Sequence, residues 1–297
     1  MTAPSVDILL CTFRRPEVAQ TLASLGALKI PEGMQVRVVV ADNDETPSAE
    51  ARVRAAEAAL PGPLIYLHAP ARNISIARNA CLDAATADWI AFLDDDEVAD
   101  PDWLAELHAK ASETGADGLF GPALAEYGPD APDWMQARDY HSNIPERRGG
   151  HVETGYTCNA FLRWAGTPWQ NERFELERGR SGGEDTEFFF RLGRLGAQFE
   201  ICDTAIVREP VAKSRLSFSW LLGRKFRTGQ SYAAAAVTPA ARLKLALAAL
   251  AKAGICGLAA LAFLPARSRR NYWALRGVFH LGVCAGCLSL RQAEHYG

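Results

Sequence analysis

Four acidic residues follow directly on an apolar run in WIAFLDDDE, residues 89–97. Carboxylates this close together raise one another's pKa, so the cluster is disfavoured unless a cation binds in it. Mg2+ and Mn2+ commonly take one or two protein carboxylates and complete their shell with water and substrate phosphates. The alternative, a turn with a helix cap, needs only one aspartate. The motif therefore predicts a Mg2+ or Mn2+ site at Asp94, Asp95 and Asp96.

A second group of acids follows two glycines in GGEDTEFFFRL, residues 182–192. The glycines predict a flexible turn, and the segment after them predicts a helix. At a helix N-terminus the macrodipole stabilises an ionised Asp185, which suits a proton acceptor. The alternatives are an N-cap without catalytic duty for Asp185 and solvated helix-start charges for Glu184 and Glu187.

Strand-like and helix-like segments alternate over the first two thirds of the chain and would position these acids. Runs typical of buried strands are VDILLCTF, QVRVVVADN, LIYLH and WIAFL, each followed by a helical pattern. Ser75 is a predicted helix cap, and Asp100 with Pro101 predicts another helix start. The alternation predicts an α/β fold with a mostly parallel sheet and helices on both faces. Ligands of such sheets bind beyond the carboxyl ends of the strands, where Thr12, Asp42 and the aspartates collect.

The pattern changes after residue 117. A loop rich in Pro, Gly and charge, residues 126–154, precedes the strand-like GYTCNAFLRW, and a further loop leads to GGEDTE. We expect this half of the chain to carry the acceptor side of a site.

A net charge of −3 hides two parts of opposite charge. Residues 1–209 hold 19 Lys and Arg against 34 Asp and Glu, whereas residues 210–297 hold 13 against 1. The basic part contains two apolar stretches, 245–264 and 271–290. They are too apolar for a typical nucleic-acid-binding arm and lack its interleaved aromatic residues. The composition therefore predicts a membrane surface as partner and no nucleic acid.

The first apolar stretch is long enough to span a bilayer, at about 20 residues. Lys252 lies near its middle, where a charge is costly, and basic residues flank both ends. A helical hairpin or two in-plane helices on the cytoplasmic face of the inner membrane meet these demands, as a peripheral or monotopic protein. The alternative is packing on the catalytic domain or on a second subunit. One predicted apolar face carries Leu243, Leu247, Leu250, Leu258 and Leu261.

The seven cysteines show no zinc-type double pair, and their number is odd. They predict reduced, cytosol-facing thiols, with little role for the CxxC of Cys284 and Cys287. The N-terminus has no basic region ahead of its apolar run and is not expected to be a signal peptide.

Five motifs in order resemble inverting glycosyltransferases of family 2, which have the GT-A nucleotide-diphospho-sugar fold. They are ILLCTFRR, VVVADND, SIARNACLDAA, IAFLDDDE and GGEDTEFFFRL. The segment SFSWLLGRKFRTGQSYA also resembles bacterial exopolysaccharide glucosyltransferases of the succinoglycan type. The match suggests a catalytic domain over 1–235 and a helical membrane-association segment over 236–297.

The resemblance implies roles for individual residues. Thr12, Phe13 and Arg14 would border the nucleotide base, with Asp42 at the uracil or ribose and Arg78 at the base. Asp94 would face the ribose, with Asp95 beside it, and Asp96 would bind the metal that bridges the diphosphate. Basic residues of the succinoglycan-like segment that could neutralise the leaving diphosphate are Arg215, Arg224, Lys225 and Arg227; a solvated or lipid-facing surface is the alternative.

The resemblance also assigns the base. Asp185 matches the general base and Glu184 its neighbour, and inversion needs one carboxylate to deprotonate the acceptor hydroxyl. Many relatives carry a metal-binding histidine where this chain has Glu209. Glu209 is either a hard oxygen ligand for the metal or a structural partner of Arg208.

The expected function is therefore metal-dependent transfer of a sugar from a UDP-sugar, UDP-glucose or a related hexose donor, to a lipid-linked oligosaccharide in exopolysaccharide synthesis. A nucleotidyltransferase would be expected to have a glycine-rich loop after the first strand, which CTFRRPEV lacks. A non-catalytic membrane-bound scaffold has no need of GGEDTE. A homo-oligomer is compatible with the sequence.

Overall fold

The computed structural model describes residues 3–288. The last part of the predicted membrane-association segment, 289–297, lies outside this range, including the end of the second apolar stretch. The seven cysteines are all within it and are free thiols.

A seven-stranded sheet forms the centre of the molecule, in the order β3-β2-β1-β4-β8-β6-β9. Its strands are β1 (Ser5–Thr12), β2 (Gln35–Asp42), β3 (Leu64–His68), β4 (Trp89–Asp94), β6 (Gly118–Phe120), β8 (Asn159–Arg163) and β9 (Phe199–Ile201). All neighbours pair in parallel except β8, which runs antiparallel to both β4 and β6. The predicted mostly parallel sheet is confirmed.

Alternate side chains of the central strands enter two hydrophobic layers. Ile8 and Leu10 of β1 pack in one cluster with Trp103, whereas Leu9 packs in the other with Phe188. Because neighbouring strand residues point to opposite faces, helices must cover both. These helices are α1 (Val18–Gly26), α2 (Glu50–Ala55), α3 (Ile74–Ala84), α4 (Trp103–Thr114) and α6 (Glu184–Arg194).

A small second sheet lies at the carboxyl end of the central one, in the order β5-β10-β7. Its strands are β5 (Val98–Ala99), β7 (Ala123–Glu126) and β10 (Val207–Pro210). Strand β5 begins four residues after β4 ends, so this sheet brings β10 close to the acidic turn. The short helix α5 (Asp133–Gln136) follows β7.

Two helix starts differ from the prediction. Asn73 caps α3, because its side chain accepts hydrogen bonds from the N–H groups of Ser75 and Ile76; Ser75 lies inside the helix. Helix α4 begins at Trp103, beyond the predicted Asp100 and Pro101.

Three helices form the C-terminal part: α7 (Phe218–Tyr232), α8 (Pro239–Ala262) and α9 (Arg267–Cys287). Glycines permit a close crossing of α7 and α9. A Cβ atom at Gly282 would lie 2.0 Å from the carbonyl oxygen of Phe226, and one at Gly229 would lie 2.0 Å from that of Phe279. Only a residue without a side chain fits at such backbone contacts.

Helix α8 packs on α9 and leaves its leucine face uncovered. The predicted face is 59–70% exposed, at Leu243, Leu247, Leu250, Leu258 and Leu261. By length and composition alone, α8 is the one helix among residues 3–288 that could cross a membrane.

Candidate active site

The carboxyl ends of three parallel strands bring the first predicted polar residues together. In the sheet register, Thr12 of β1 pairs with Asp42 of β2, and Cys11 pairs with Asp94 of β4. The ends of β1, β2 and β4 therefore form one edge, as expected for a site beyond a parallel sheet.

Arginines surround the aspartates at the end of β4. Arg15 forms an ion pair with Asp96 and lies 3.5 Å from Asp95 Oδ1. Asp95 Oδ2 is buried and has no hydrogen-bond partner. Glu97 is buried too, and its Oε2 accepts a hydrogen bond of 3.0 Å from the N–H of Asp94. Glu97 thus closes the acidic turn and fixes its direction.

Burial sets the protonation of this turn. It raises the pKa of Asp94 to about 6 and the pKa of Asp95 to about 7. The neighbouring carboxylates add to both shifts, while Arg78 and Arg15 oppose them. A cation beside these groups would favour their ionised forms.

Glu209 of β10 lies across from the turn. Arg215 forms an ion pair with Glu209, and its Nη2 lies 3.5 Å from Asp96 Oδ2. The suggested pairing of Arg208 with Glu209 is wrong, because Arg208 bonds Asp100 at 3.0 and 3.1 Å. The small sheet therefore presents Glu209 toward the acidic turn.

The Arg215 guanidinium contacts both predicted metal ligands, so a carboxylate oxygen of Asp96 and one of Glu209 lie on either side of the same group. Hard carboxylate oxygens suit Mg2+ or Mn2+, which also draw ligands from water and substrate phosphates. Within residues 3–288, no group of three or more His, Cys, Asp or Glu side chains could hold a metal by itself. The residues fit a metal whose shell is completed by a substrate.

Arg78 of α3 connects the acidic turn to the second motif. It is 7% exposed, forms an ion pair with Glu184, and its Nη2 lies 3.7 Å from Asp94 Oδ1. The ring of Phe174 lies below it, with its centroid 5.5 Å from the guanidinium carbon. The base contact implied for Arg78 stays a prediction; the structure gives it two carboxylate partners.

Asp185 lies next to Glu184 in the first turn of α6. Its Oδ1 accepts a hydrogen bond of 2.6 Å from the N–H of Thr186. Burial, followed by the charge of Glu184, raises the pKa of Asp185 to about 7. A carboxyl that titrates near neutral pH can take up a proton at physiological pH. The expectation that the helix macrodipole keeps Asp185 ionised is wrong, because burial and the charge of Glu184 outweigh it. A pKa near neutral still suits a general base.

Asp185 is not the N-cap residue of α6, and Glu184 and Glu187 are not solvated charges, so these alternatives are wrong. Gly183, with φ of 84°, is the N-cap residue, so Asp185 lies inside the helix. Glu184 and Glu187 are 4% and 6% exposed and are not solvated. Both form ion pairs with arginines, Arg78 and Arg191 respectively.

Asp42 is fully buried, and both of its carboxylate oxygens already accept hydrogen bonds from the protein. Its oxygens accept hydrogen bonds from the N–H groups of Asp44 and Ala49 and from the hydroxyl of Tyr66, at 2.8–3.0 Å. Next to it, Asp44 accepts a hydrogen bond of 2.9 Å from Arg14. The nucleotide-binding role of Asp42 stays a prediction, and so does that of Arg14.

The remaining predicted residues lie around this edge. Thr12 Oγ1 is buried without a hydrogen-bond partner, and the Arg14 guanidinium lies over the Phe13 ring at 5.2 Å. Arg224 of α7 lies over Trp220 at 5.3 Å, and Arg227 lies one turn further along α7. Their contacts with a donor stay predictions.

Arg15 and Glu97 were not singled out in the sequence. Arg15 follows Arg14 in ILLCTFRR, so the second of two adjacent arginines is the one that reaches Asp96. Glu97 stands three residues after Asp94, a spacing that allows a side chain to close a turn.

Known proteins resemble this chain in sequence over most of its length. The profile of Glycosyl transferase family 2 matches residues 7–165. The succinoglycan biosynthesis protein ExoM of Rhizobium meliloti (strain 1021) is 47% identical over 98% of this chain and 96% of its own length.

Two solved structures share the fold. One is the mannosyltransferase PcManGT from Pyrobaculum calidifontis in complex with GDP-Man and Mn2+, at TM-score 0.64 and 15% identity, covering 96% of this chain and 88% of its own. The other is S. aureus TarS 1-349 in complex with UDP-GlcNAc, at TM-score 0.56 and 15% identity, covering 94% and 92%. The α/β fold is that of GT-A glycosyltransferases, and the chain belongs to glycosyl transferase family 2.

Proposed function

We propose that this glycosyltransferase inverts the anomeric centre of a UDP-sugar, glucose or a related hexose, as it transfers the sugar to a hydroxyl of a lipid-linked saccharide in exopolysaccharide synthesis. The observation that carries the proposal is the buried Arg78, which contacts both Asp94 of the donor motif and Glu184 beside Asp185. The name of the relative ExoM supports the pathway, and the UDP-GlcNAc complex of TarS supports the donor.

Asp185 is the proposed general base. With a pKa of about 7 it is ionised in much of the population at neutral pH and removes the proton of the acceptor hydroxyl as that oxygen attacks the anomeric carbon. The carbon–oxygen bond to the nucleotide diphosphate breaks on the opposite face. Glu184 acts through Arg78, which keeps the first turn of α6 against the end of β4.

Asp96 and Glu209 would hold the metal, Mg2+ or Mn2+. A bound divalent ion supplies charge neutralisation for the leaving diphosphate. Arg15 and Arg215 already lie against these carboxylates and are free to pair with phosphate oxygens when the carboxylates bind the ion. The Mn2+ in the Pyrobaculum mannosyltransferase supports this cofactor class.

The C-terminal helices provide the proposed contact with the cytoplasmic face of the inner membrane. The uncovered leucines of α8 offer an apolar surface, and Lys252 in the middle of α8 disfavours crossing the bilayer. A helix that lies in the membrane surface buries such a face while its basic residues stay at the headgroups.

The test is release of UDP from a panel of UDP-sugars by the full-length protein with a lipid-linked saccharide acceptor, with Mn2+ or with EDTA. We expect release to need Mn2+ and Asp96→Ala to abolish it while circular dichroism stays unchanged. Asp102→Ala is the control, because Asp102 is an exposed partner of Lys29. Full activity in EDTA would contradict the metal dependence, and no release with any donor would contradict the proposal.

A further inference from the structure

A cavity of about 760 Å3 lies between the loop after β7, helix α7 and the α8–α9 hairpin. This volume is within the range of about 300–1,000 Å3 typical of ligand sites. At one end the cavity reaches Asn159 and Thr186, and Thr186 is the direct neighbour of Asp185. Tyr156 also lines the cavity, and the charge of the Asp185 carboxylate contributes to raising the Tyr156 pKa. The cavity therefore leads away from the proposed base.

Basic side chains from four segments converge on this cavity. They are Arg138 and Arg148 from the loop, Lys225 from α7, Lys252 from α8 and Arg276 from α9. Within the part of the chain that the structure describes, none of these side chains forms an ion pair with a carboxylate. Arg148 lies over the ring of Tyr232 at 4.1 Å, and Arg276 donates a hydrogen bond of 2.8 Å to the hydroxyl of Tyr272. Unpaired cations held together by separate elements repel one another, which favours an anion between them.

The pKa of His280, which also lines the cavity, shows that these charges lie close together. Burial lowers its pKa, and Lys252, Arg276 and Arg148 lower it further. Three of these five cations thus act on one imidazole. Acidic residues in the lining are fewer: Glu153 accepts a hydrogen bond of 3.3 Å from Tyr232, and Asp139 accepts one from Ser142. Glu146 is the acid whose charge acts on Lys225.

The rest of the wall is apolar or aromatic, with Tyr140, Tyr232, Leu275 and Phe279. Lys252 lies at the edge of the cavity on α8. Ile255, one helical turn along from Lys252, is 62% exposed. A ligand there meets cations first and an uncovered apolar face beside them. Phosphate joined to a long apolar chain has this combination of groups.

We propose that this cavity binds the diphosphate group of the lipid carrier that holds the acceptor, with Lys225, Lys252 and Arg276 as its contacts. The inference rests on the proposed lipid-linked acceptor and adds where its charged group binds. The apolar chain leaves past α8 toward the membrane, and the saccharide points along the cavity to Asp185.

The test uses the full-length protein and farnesyl diphosphate as probe, with affinity measured by titration calorimetry. Removing one cation from a charge-assisted contact weakens binding by about tenfold or more, so we expect this loss for Lys252→Gln and for Arg276→Gln. Lys244→Gln is the matched control, because Lys244 is an exposed lysine of the same helix outside the cavity. Affinity for UDP-glucose should be unchanged in all three variants.

Farnesol and inorganic pyrophosphate separate the two halves of the ligand, and each should bind at least tenfold more weakly than farnesyl diphosphate. Pyrophosphate that binds as well as the lipid would overturn the assignment to a lipid carrier. Equal affinity of the probe for the native protein and Lys252→Gln, or an equal loss of UDP-glucose binding, would overturn the site. UDP release from the donor panel is measured separately, so a failed glycosyltransferase proposal and a failed cavity assignment give different results.

Discussion

Arg78 and Glu184 form a buried ion pair between residues that stand 106 positions apart in the chain. The same guanidinium approaches Asp94 at the end of β4. Sheet and helix α6 are thereby joined at the point where, in the proposed mechanism, donor and acceptor must meet. Arg78 holds the acidic turn and the first turn of α6 together.

Arg78→Met should disrupt both stability and turnover. Loss of one partner of a buried pair leaves an uncompensated carboxylate and costs about 3–5 kcal/mol of unfolding free energy. We expect that loss in urea denaturation and at least a tenfold lower transfer rate. Arg54→Met is the control: its pair with Glu50 is exposed, so about 1 kcal/mol or less should be lost. Equal losses for the two variants would contradict the role of Arg78.

Asp185→Asn should separate binding from chemistry. The amide keeps the shape of the carboxylate but accepts no proton, so we expect turnover to fall at least about a hundredfold with donor affinity near normal. The ionised form is the active one, so native turnover should rise with pH through about 7, and the variant should lack this rise. Donor affinity that collapses together with turnover would show that Asp185 is a binding or structural residue.

The thermal unfolding midpoint of the metal-free protein should decrease as the pH rises from about 4 to about 7. Free aspartates titrate near pH 4. In the folded protein the pKa values of Asp94, Asp95 and Asp185 are raised to about 6, 7 and 7, so the folded state binds more protons in this window. The stability that these groups contribute is present below about pH 4 and is lost as pH rises through the folded pKa values.

Mn2+ binds the ionised carboxylates, so its effect on the midpoint should have the opposite pH dependence. We expect Mn2+ to raise the midpoint more at pH 8 than at pH 5 in differential scanning fluorimetry. An equal rise at both pH values would argue against binding at the acidic turn.

Gly282→Ala should loosen the crossing of α7 and α9. Its methyl group would lie 2.0 Å from the Phe226 carbonyl oxygen, and such overpacking costs about 1–3 kcal/mol. We expect faster proteolysis within α8 and α9 than in the native protein. The matched control is Gly257→Ala on α8, where an added Cβ meets nothing within 4 Å and should be neutral or stabilising by up to about 1 kcal/mol. Equal proteolysis of the two variants would contradict the crossing.

Full-length protein should sediment with anionic liposomes at low salt and less so at high salt, because basic residues attract the surface through a screened interaction. The double variant Leu247→Ser and Leu258→Ser should bind less, since both side chains are uncovered. Leu195→Ser, at an exposed leucine of the catalytic half, serves as control. Native protein that stays in the supernatant would contradict the membrane proposal.

Much of the first half could be predicted because buried parallel strands are continuous apolar runs, and polar residues at their carboxyl ends stand out in WIAFLDDDE. The antiparallel β8 between β4 and β6 could not, because its pairing with both depends on loops without periodic pattern. The sequence alone does not distinguish the cap of α3, because Asn73 and Ser75 are both favourable capping residues and stand two positions apart. The burial of Glu184 and Glu187 could not be predicted either. Acidic residues at a helix start give the same sequence pattern whether their side chains face water or an arginine.

The close crossing of α7 and α9 at Gly229 and Gly282 limits how the C-terminal helices could be replaced by another membrane anchor. Backbone contact at Gly229 and Gly282 leaves no room for a side chain at these two points of the crossing, which restricts the height and tilt of the hairpin relative to α7. An unrelated membrane anchor grafted after α7 would restore attachment but would change that height. In the proposed membrane contact, the two glycines would therefore set the distance between the catalytic site and the membrane surface, in addition to the attachment that the helices provide.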